Sequence, residues 1–229
     1  MELLKRLSLF TLLGSALALP AFSATPLVVG QTYNTGYNSV TNTALAPGSS
    51  DLYFNLFSYA GTTPVVTSPD SPLWVQAAGA QWISPVEDQS GNPGSGSPTG
   101  AYDYKAYLAT DFVMPTSVTV SGSFAADDGT VLYVDGTMVT TVGPEAYTAL
   151  TSFSYTFSIS SGPVFVPIDF VVNNTNSGGS QSTNPTGLLV SGLKFTTGTA
   201  TPEPATWVLL FAGIGALLLM RRVRASSAS

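Results

Sequence analysis

Cysteine and histidine are both absent from this 229-residue chain. Without cysteine there is no disulfide framework, no thiolate nucleophile and no thiolate metal ligand. Without histidine there is no Ser-His-Asp or Cys-His catalytic set and no conventional zinc site. Carboxylate-only chemistry and oxygen-ligand calcium sites pass this filter. Charge is also scarce, at 9% of residues. Lys5 and Arg6 lie at one end, and Arg221, Arg222 and Arg224 at the other. Between residues 24 and 200 there is no arginine, and two lysines, Lys105 and Lys194, face eleven acids, a formal charge of −9. Such a domain repels phosphate backbones and anionic headgroups, which excludes nucleic acid as a partner.

Long apolar runs are confined to the two ends. Lys5 and Arg6 precede a run from Leu7 to Leu19, followed by Pro20 and by Ala21-Phe22-Ser23. A basic start, a short apolar stretch and small residues at the first and third positions before a cut predict a signal peptide over 1–23, with the mature chain beginning at Ala24. At the other end Pro202-Glu203-Pro204 is followed by an uncharged stretch, 205–220, and then by Arg221, Arg222 and Arg224 over 221–224. As a helix these residues span roughly 24 Å, a short membrane crossing that bilayer thinning and snorkelling arginines complete, with Trp207 at the outer interface. The basic cluster predicts a cytoplasmic C-terminus.

Proline-Glu-proline, an apolar run and a basic end together resemble the PEP-CTERM sorting tail of exported bacterial proteins, here 202–229. The resemblance implies an exosortase as partner, reading Pro202, Glu203 and Pro204. It also implies a transient single-pass stay in the inner membrane, then release to the cell surface or extracellular space. Because that family commonly occurs beside exopolysaccharide production, it implies a role in biofilm or extracellular matrix.

The region between the targeting segments reads as all-β. Short runs rich in Val, Thr, Tyr and Phe recur between Gly, Pro, Asn and Ser punctuation. Strands are predicted over 51–57, 73–77, 101–112, 117–124, 130–134, 138–142, 152–159, 164–172 and 188–196. Phe153, Tyr155, Phe157 and Ile159 alternate with Ser154, Thr156 and Ser158, the pattern of a strand with one wet face. An antiparallel, jelly-roll-like β-sandwich over 24–195 follows, with a glycine-rich loop at 87–100 and a linker at 196–201. No stretch before the tail has helical periodicity with caps.

The order Trp82-Ile83-Ser84-Pro85, Tyr102-Asp103-Tyr104, Asp127-Asp128-Gly129, Val131 to Gly136 and Ile168 to Asn174 is similar to ectodomains carried by PEP-CTERM proteins. Their sandwich resembles galactose-binding-like jelly rolls and accessory sugar-binding domains of glycoside hydrolases. The resemblance implies a hairpin around Tyr133 and Val139 turning at Asp135-Gly136.

Three constellations carry chemistry. Asp127, Asp128 and Asp135 are the right ligand type for calcium, yet Asp-Asp-Gly and Asp-Gly are also ordinary turn sequences. Trp82, Tyr102 and Tyr104 are a candidate glycan-stacking platform, against the alternative that large aromatics fill a sandwich core. Alternation puts Tyr102 and Tyr104 on one face and Asp103 with Lys105 on the other. No pair of acids is marked by context as a glycosidase set. The expected function is a non-enzymatic structural component of the cell surface or matrix. The alternative is a carbohydrate-binding module with an extracellular polysaccharide as partner, and a carboxylate-based glycan hydrolase is the third reading. Calcium is the one cofactor to test.

Overall fold

The computed structural model describes residues 24–58, 62–68, 70–90, 96–175 and 184–198. The signal peptide expected over 1–23 and the sorting tail expected over 202–229 lie outside the described residues. Among the described residues no helix is long and apolar enough to cross a membrane.

Six two-residue strands come first: β1 (Thr32–Tyr33), β2 (Tyr37–Asn38), β3 (Thr43–Ala44), β4 (Asn55–Leu56), β5 (Val65–Val66) and β6 (Ile83–Ser84). Seven longer ones follow: β7 (Gly100–Phe112), β8 (Thr116–Asp127), β9 (Gly129–Val134), β10 (Thr137–Val142), β11 (Thr151–Ile159), β12 (Gly162–Asn174) and β13 (Gly187–Thr197). Apart from β2 and β3, which pair with each other in a small sheet of their own, they form two facing antiparallel sheets. One runs β10-β9-β12-β7-β4; the other runs β11-β8-β13-β6-β5, with β1 also paired to β13. From β7 onward the chain passes repeatedly from one sheet to the other, so the architecture is a jelly-roll-like β-sandwich.

The alternation read from the sequence is what builds the core. Tyr102, Tyr104, Ala106 and Leu108 of β7 lie beside Val166, Ile168, Phe170 and Val172 of β12 on one inner face, all buried. From the other sheet Val118, Val120 and Phe124 of β8, Phe153 and Ile159 of β11, and Leu188, Val190, Leu193 and Phe195 of β13 close it. Phe124, Phe153 and Phe170 meet edge-on or tilted at 5.3–6.2 Å between centroids, the geometry their quadrupoles favour.

A second, smaller cluster sits on the outer side of the β8–β13 sheet. Segment 73–82 is laid across it, and Trp74 stacks on Trp82 at 4.2 Å between centroids over Ala125 and Leu189. Gly187 lies beneath the pair. A Cβ built there would meet Trp74 at 3.0 Å, the Ile83 carbonyl at 3.1 Å and Trp82 at 3.2 Å, so the two rings can settle only over a glycine.

Two predicted strands are corrected. Over 51–57 only Asn55–Leu56 is a strand. The buried Asp51 carboxylate accepts the backbone N–H groups of Gly36 (2.7 Å), Tyr53 (2.8 Å) and Phe54 (3.0 Å), which turns the chain instead of extending it. Residues 73–77 form no strand, because Trp74 and Val75 bond to Ser71 and Tyr147 in loops. The final strand also runs two residues into the predicted linker, to Thr197.

Candidate functional site

The sequence candidates are placed as follows. Trp82 is fully buried, stacked on Trp74, with its Nε1–H donated to the Val75 carbonyl at 2.8 Å. Tyr102 is buried and donates its hydroxyl to the Pro98 carbonyl at 2.6 Å, while Tyr104 lies in the main core. A ring without an exposed face has none to offer a sugar, so the expected platform of Trp82, Tyr102 and Tyr104 is corrected to core.

The calcium set is likewise separated. Asp127 and Asp128 lie where β8 meets β9, whereas Asp135 lies at the far end of β9, about 20 Å away at ~3.3 Å per residue. Asp135 (φ 51°) and Gly136 (φ 73°) are the two central residues of the β9–β10 hairpin, both left-handed as a type I′ turn requires. Among the described residues no group of three or more acids is gathered to hold a metal. Asp127 is engaged otherwise. Its Oδ2 accepts the Trp74 Nε1–H at 2.6 Å, and its side chain also bonds that of Asp128. Burial pushes its carboxyl up to about 8, against the Trp74 bond that pulls it down.

What the fold does bring together is a transverse row on the outer face of the five-stranded sheet. Because Tyr102 and Tyr104 point inward, Asp103, Lys105 and Tyr107 of β7 point outward. Register then lines up Met138 opposite Tyr133, Tyr133 opposite Asp169, Asp169 opposite Lys105, and Lys105 opposite Asn55. Four strand spacings of ~4.8 Å give this row a width of about 19 Å. Lys105 Nζ sits between two carboxylates, 3.3 Å from Asp103 and 3.4 Å from Asp169. These charges are not fully solvated: their side chains are 17–26% exposed.

The cover over them comes from aromatic rings. After β4 the chain is pinned to β7 by Phe57 N–H donating to the Asp103 carbonyl (2.9 Å) and Asp103 N–H donating to Ser58 Oγ (2.8 Å). That fixes Phe57, 47% exposed, with its ring centroid 4.8 Å from Lys105 Nζ and 6.2 Å, edge-on, from Tyr107. On the other side of the ion triad stand half-buried Tyr133 and exposed Met138. Outward positions of β12 and β9 add Phe165, Pro167, Val171 and Val131, all partly exposed.

The electrostatics follow from this partial burial. Asp169 is pushed up to about 6, by burial first and by Asp103, with Lys105 pulling the other way. Burial draws the Lys105 ammonium down, but its two carboxylate partners outweigh that and leave it above its ordinary value. Burial also raises the Tyr107 hydroxyl. The result is an apolar, ring-bearing surface with a few polar groups held in fixed places, an arrangement suited to ligands that have both C–H faces and hydroxyls.

Comparison with known proteins adds the following. No protein-family model matches the chain. No curated protein matches it either. Among solved structures it is similar to a CBM35 from Paenibacillus barcinonensis, at 14% identity over 75% of this chain and 100% of that one, with a TM-score of 0.34. It is similar to a family 35 carbohydrate-binding module from Clostridium thermocellum, at 10% identity over 58% and 86% of the two chains, with a TM-score of 0.29. A mutant of a family 29 carbohydrate-binding module gives 14% identity over 73% and 91%, with a TM-score of 0.28. Likenesses at this level assign no residue here, and the functional reading rests on the chain's own side chains.

Proposed function

We propose that this chain is an exported, non-catalytic carbohydrate-binding protein that takes a neutral polysaccharide on the outer face of its five-stranded sheet. The observation that carries the proposal is the row Met138–Tyr133–Asp169–Lys105, flanked by Phe57 and Tyr107. The wet face of an antiparallel sheet is ordinarily polar; this one is aromatic and aliphatic around a single clamped lysine. Pyranose C–H faces pack on such rings, while ring hydroxyls bond to Asp103, Asp169 and Lys105. The −9 charge of residues 24–200 disfavours an anionic polymer, and the only lysine on this row is already neutralised by its partners.

The same clamp speaks against hydrolysis. Lys105 Nζ occupies the space between the Asp103 and Asp169 carboxylates, at 3.3 and 3.4 Å, where the glycosidic bond of a hydrolase pair would have to lie. Delivery to the surface belongs to the same proposal. Residues 1–23 direct export, and 205–220 hold the chain in the inner membrane. An exosortase then acts near Pro202-Glu203-Pro204, placing the sandwich among cell-surface or matrix polysaccharides.

A glycan array of neutral and acidic polysaccharides, with calcium and with chelator, tests the binding. The expected result is saturable, calcium-independent binding to a neutral glycan. Removing a stacked ring in Tyr107→Ala or Tyr133→Ala weakens it by about 1–3 kcal/mol, roughly 5- to 150-fold. Wild-type protein that stays blank on neutral glycans sinks the proposal and returns the chain to a purely structural matrix component. Turnover of any glycan returns it to the carboxylate-hydrolase reading.

A further inference from the structure

Besides the two-residue β1 laid against β13, the described strands give the sandwich four sheet edges, and three of them carry a device that opposes the addition of another strand. On one side β4 and β5 are two residues long, and both are capped by loop chain. Leu56 bridges Thr62, and Val65 bridges Ser50. On the other side β10 carries a register break between Met138 and Thr140. Short edge strands, covering loops and bulges are the usual protections of a sheet edge.

Strand β11 has none of these. It is nine residues long and pairs with β8 in unbroken register from Thr151–Phe124 to Ile159–Thr116. Among the described residues no strand pairs with its other side. Its sequence, Thr-Ser-Phe-Ser-Tyr-Thr-Phe-Ser-Ile, contains no charge, no proline and no glycine, and the nearest charged residues along the chain are Glu145 and Asp169. In an antiparallel ladder, alternate residues of an edge strand direct both N–H and C=O outward, so four or five residues present a free template.

We propose that β11 is a self-association edge, and that its partner is β11 of a second copy of this chain in antiparallel orientation. The strand is complementary to itself under a two-fold axis. An axis at Tyr155 sets Phe153 opposite Phe157 of the second copy and Ser154 opposite its Thr156. Aromatic then meets aromatic on the inner side, and hydroxyl meets hydroxyl on the outer. The outer pairing already exists within one chain, where β11 and β8 join Thr156 to Thr119 at 2.8 Å and Ser152 to Ser123 at 2.9 Å. The stacked, half-exposed rings of Tyr155 and Phe157, 6.0 Å apart and 11° from parallel, become covered when a strand is added. No like charges face each other along the seam. The domain's −9 charge opposes approach only at longer range, where salt screens it.

Sedimentation velocity of the full chain in non-ionic detergent, over a wide concentration range, tests this. A reversible monomer–dimer equilibrium that strengthens with added salt is expected. Ser154→Lys/Ser158→Lys, both on the solvent face, places lysines on the seam and weakens dimerisation roughly tenfold or more. Ser154→Thr/Ser158→Thr leaves it unchanged. Amide exchange on the wild type supplies a readout that needs no variant: protection over 151–159 rises with protein concentration. A wild-type chain that stays monomeric at every concentration overturns the proposal. Dimerisation indifferent to the lysine pair overturns it as well, since association through the apolar C-terminal run would behave that way.

Discussion

At the scale of single residues, two buried polar groups set testable stabilities. Tyr104 is fully buried in the main core, and its hydroxyl has no hydrogen-bond partner among the described residues. An orphan hydroxyl in a dry interior costs free energy that an apolar isostere does not. Tyr104→Phe is therefore expected to stabilise the fold by ~1 kcal/mol, read as a rise in Tm of about 2–4 °C. Asp127 sets a pH dependence. Its folded carboxyl lies at about 8, against an ordinary value of 3.8, so between these values the folded state keeps a proton that the unfolded chain releases. Stability consequently falls as pH rises through this window and levels off above it; Asp169, at about 6, contributes in the same direction. Thermal melts from about pH 5 to 8 are expected to show a falling Tm. Asp127→Asn, which keeps an acceptor for Trp74, removes the part of the slope above pH 6 or so.

At the scale of elements, the seven long strands are legible because runs of Val, Thr, Tyr and Phe are bounded by turn residues, with alternation clearest in β7, β11 and β12. Five of the six two-residue strands are not, because pairings of that length leave no periodicity. The stretch 51–57 reads as extended from its apolar content, but residues 53–56 are buried without a break and do not alternate, and the cause is a carboxylate that turns the backbone. The candidate site shows the same limit. Alternation in β7 separates Tyr102 and Tyr104 from Asp103 and Lys105, and the charged pair is the available signal for which set faces out. What the sequence does not contain is register: nothing local places Tyr133 and Asp169 beside Lys105, since those neighbours are 28 and 64 positions away in the chain. Packing of elements yields its own prediction. Gly187→Ala puts a methyl group against both indoles and the Ile83 carbonyl, and is expected to destabilise the sandwich by about 1–3 kcal/mol in chemical denaturation. Gly136 has open space around it, so Gly136→Ala there costs only the strain of its left-handed φ.

For the whole molecule, the proposed glycan face and the proposed self-association edge do not compete for surface. The face spans the outside of one sheet, while β11 borders the other. A two-fold pair would carry two glycan faces on one rigid body, and bivalent attachment to a polymer exceeds the affinity of either face alone. On a polysaccharide surface, Ser154→Lys/Ser158→Lys is thus expected to lower retention while leaving the affinity for a short oligosaccharide unchanged, as titration calorimetry would read it. Export carries a separate expectation: intact mass of the secreted form places its first residue at Ala24.

The tryptophan pair has a consequence for how this protein can be observed. Trp74 and Trp82 are the only indoles before the tail, the third being Trp207. Stacked at 4.2 Å, their strong transitions couple, and a paired positive and negative band is expected in far-ultraviolet circular dichroism. Their emission is expected to respond to the carboxyl at Trp74 Nε1 and to shift as Asp127, pushed up to about 8 by burial, ionises. They lie on the β8–β13 sheet, away from Phe57, Tyr107 and Tyr133. Excited at the indole band, the tryptophan emission of residues 24–200 is therefore expected to report unfolding and proton release at Asp127, and to stay dark to sugar on the other sheet.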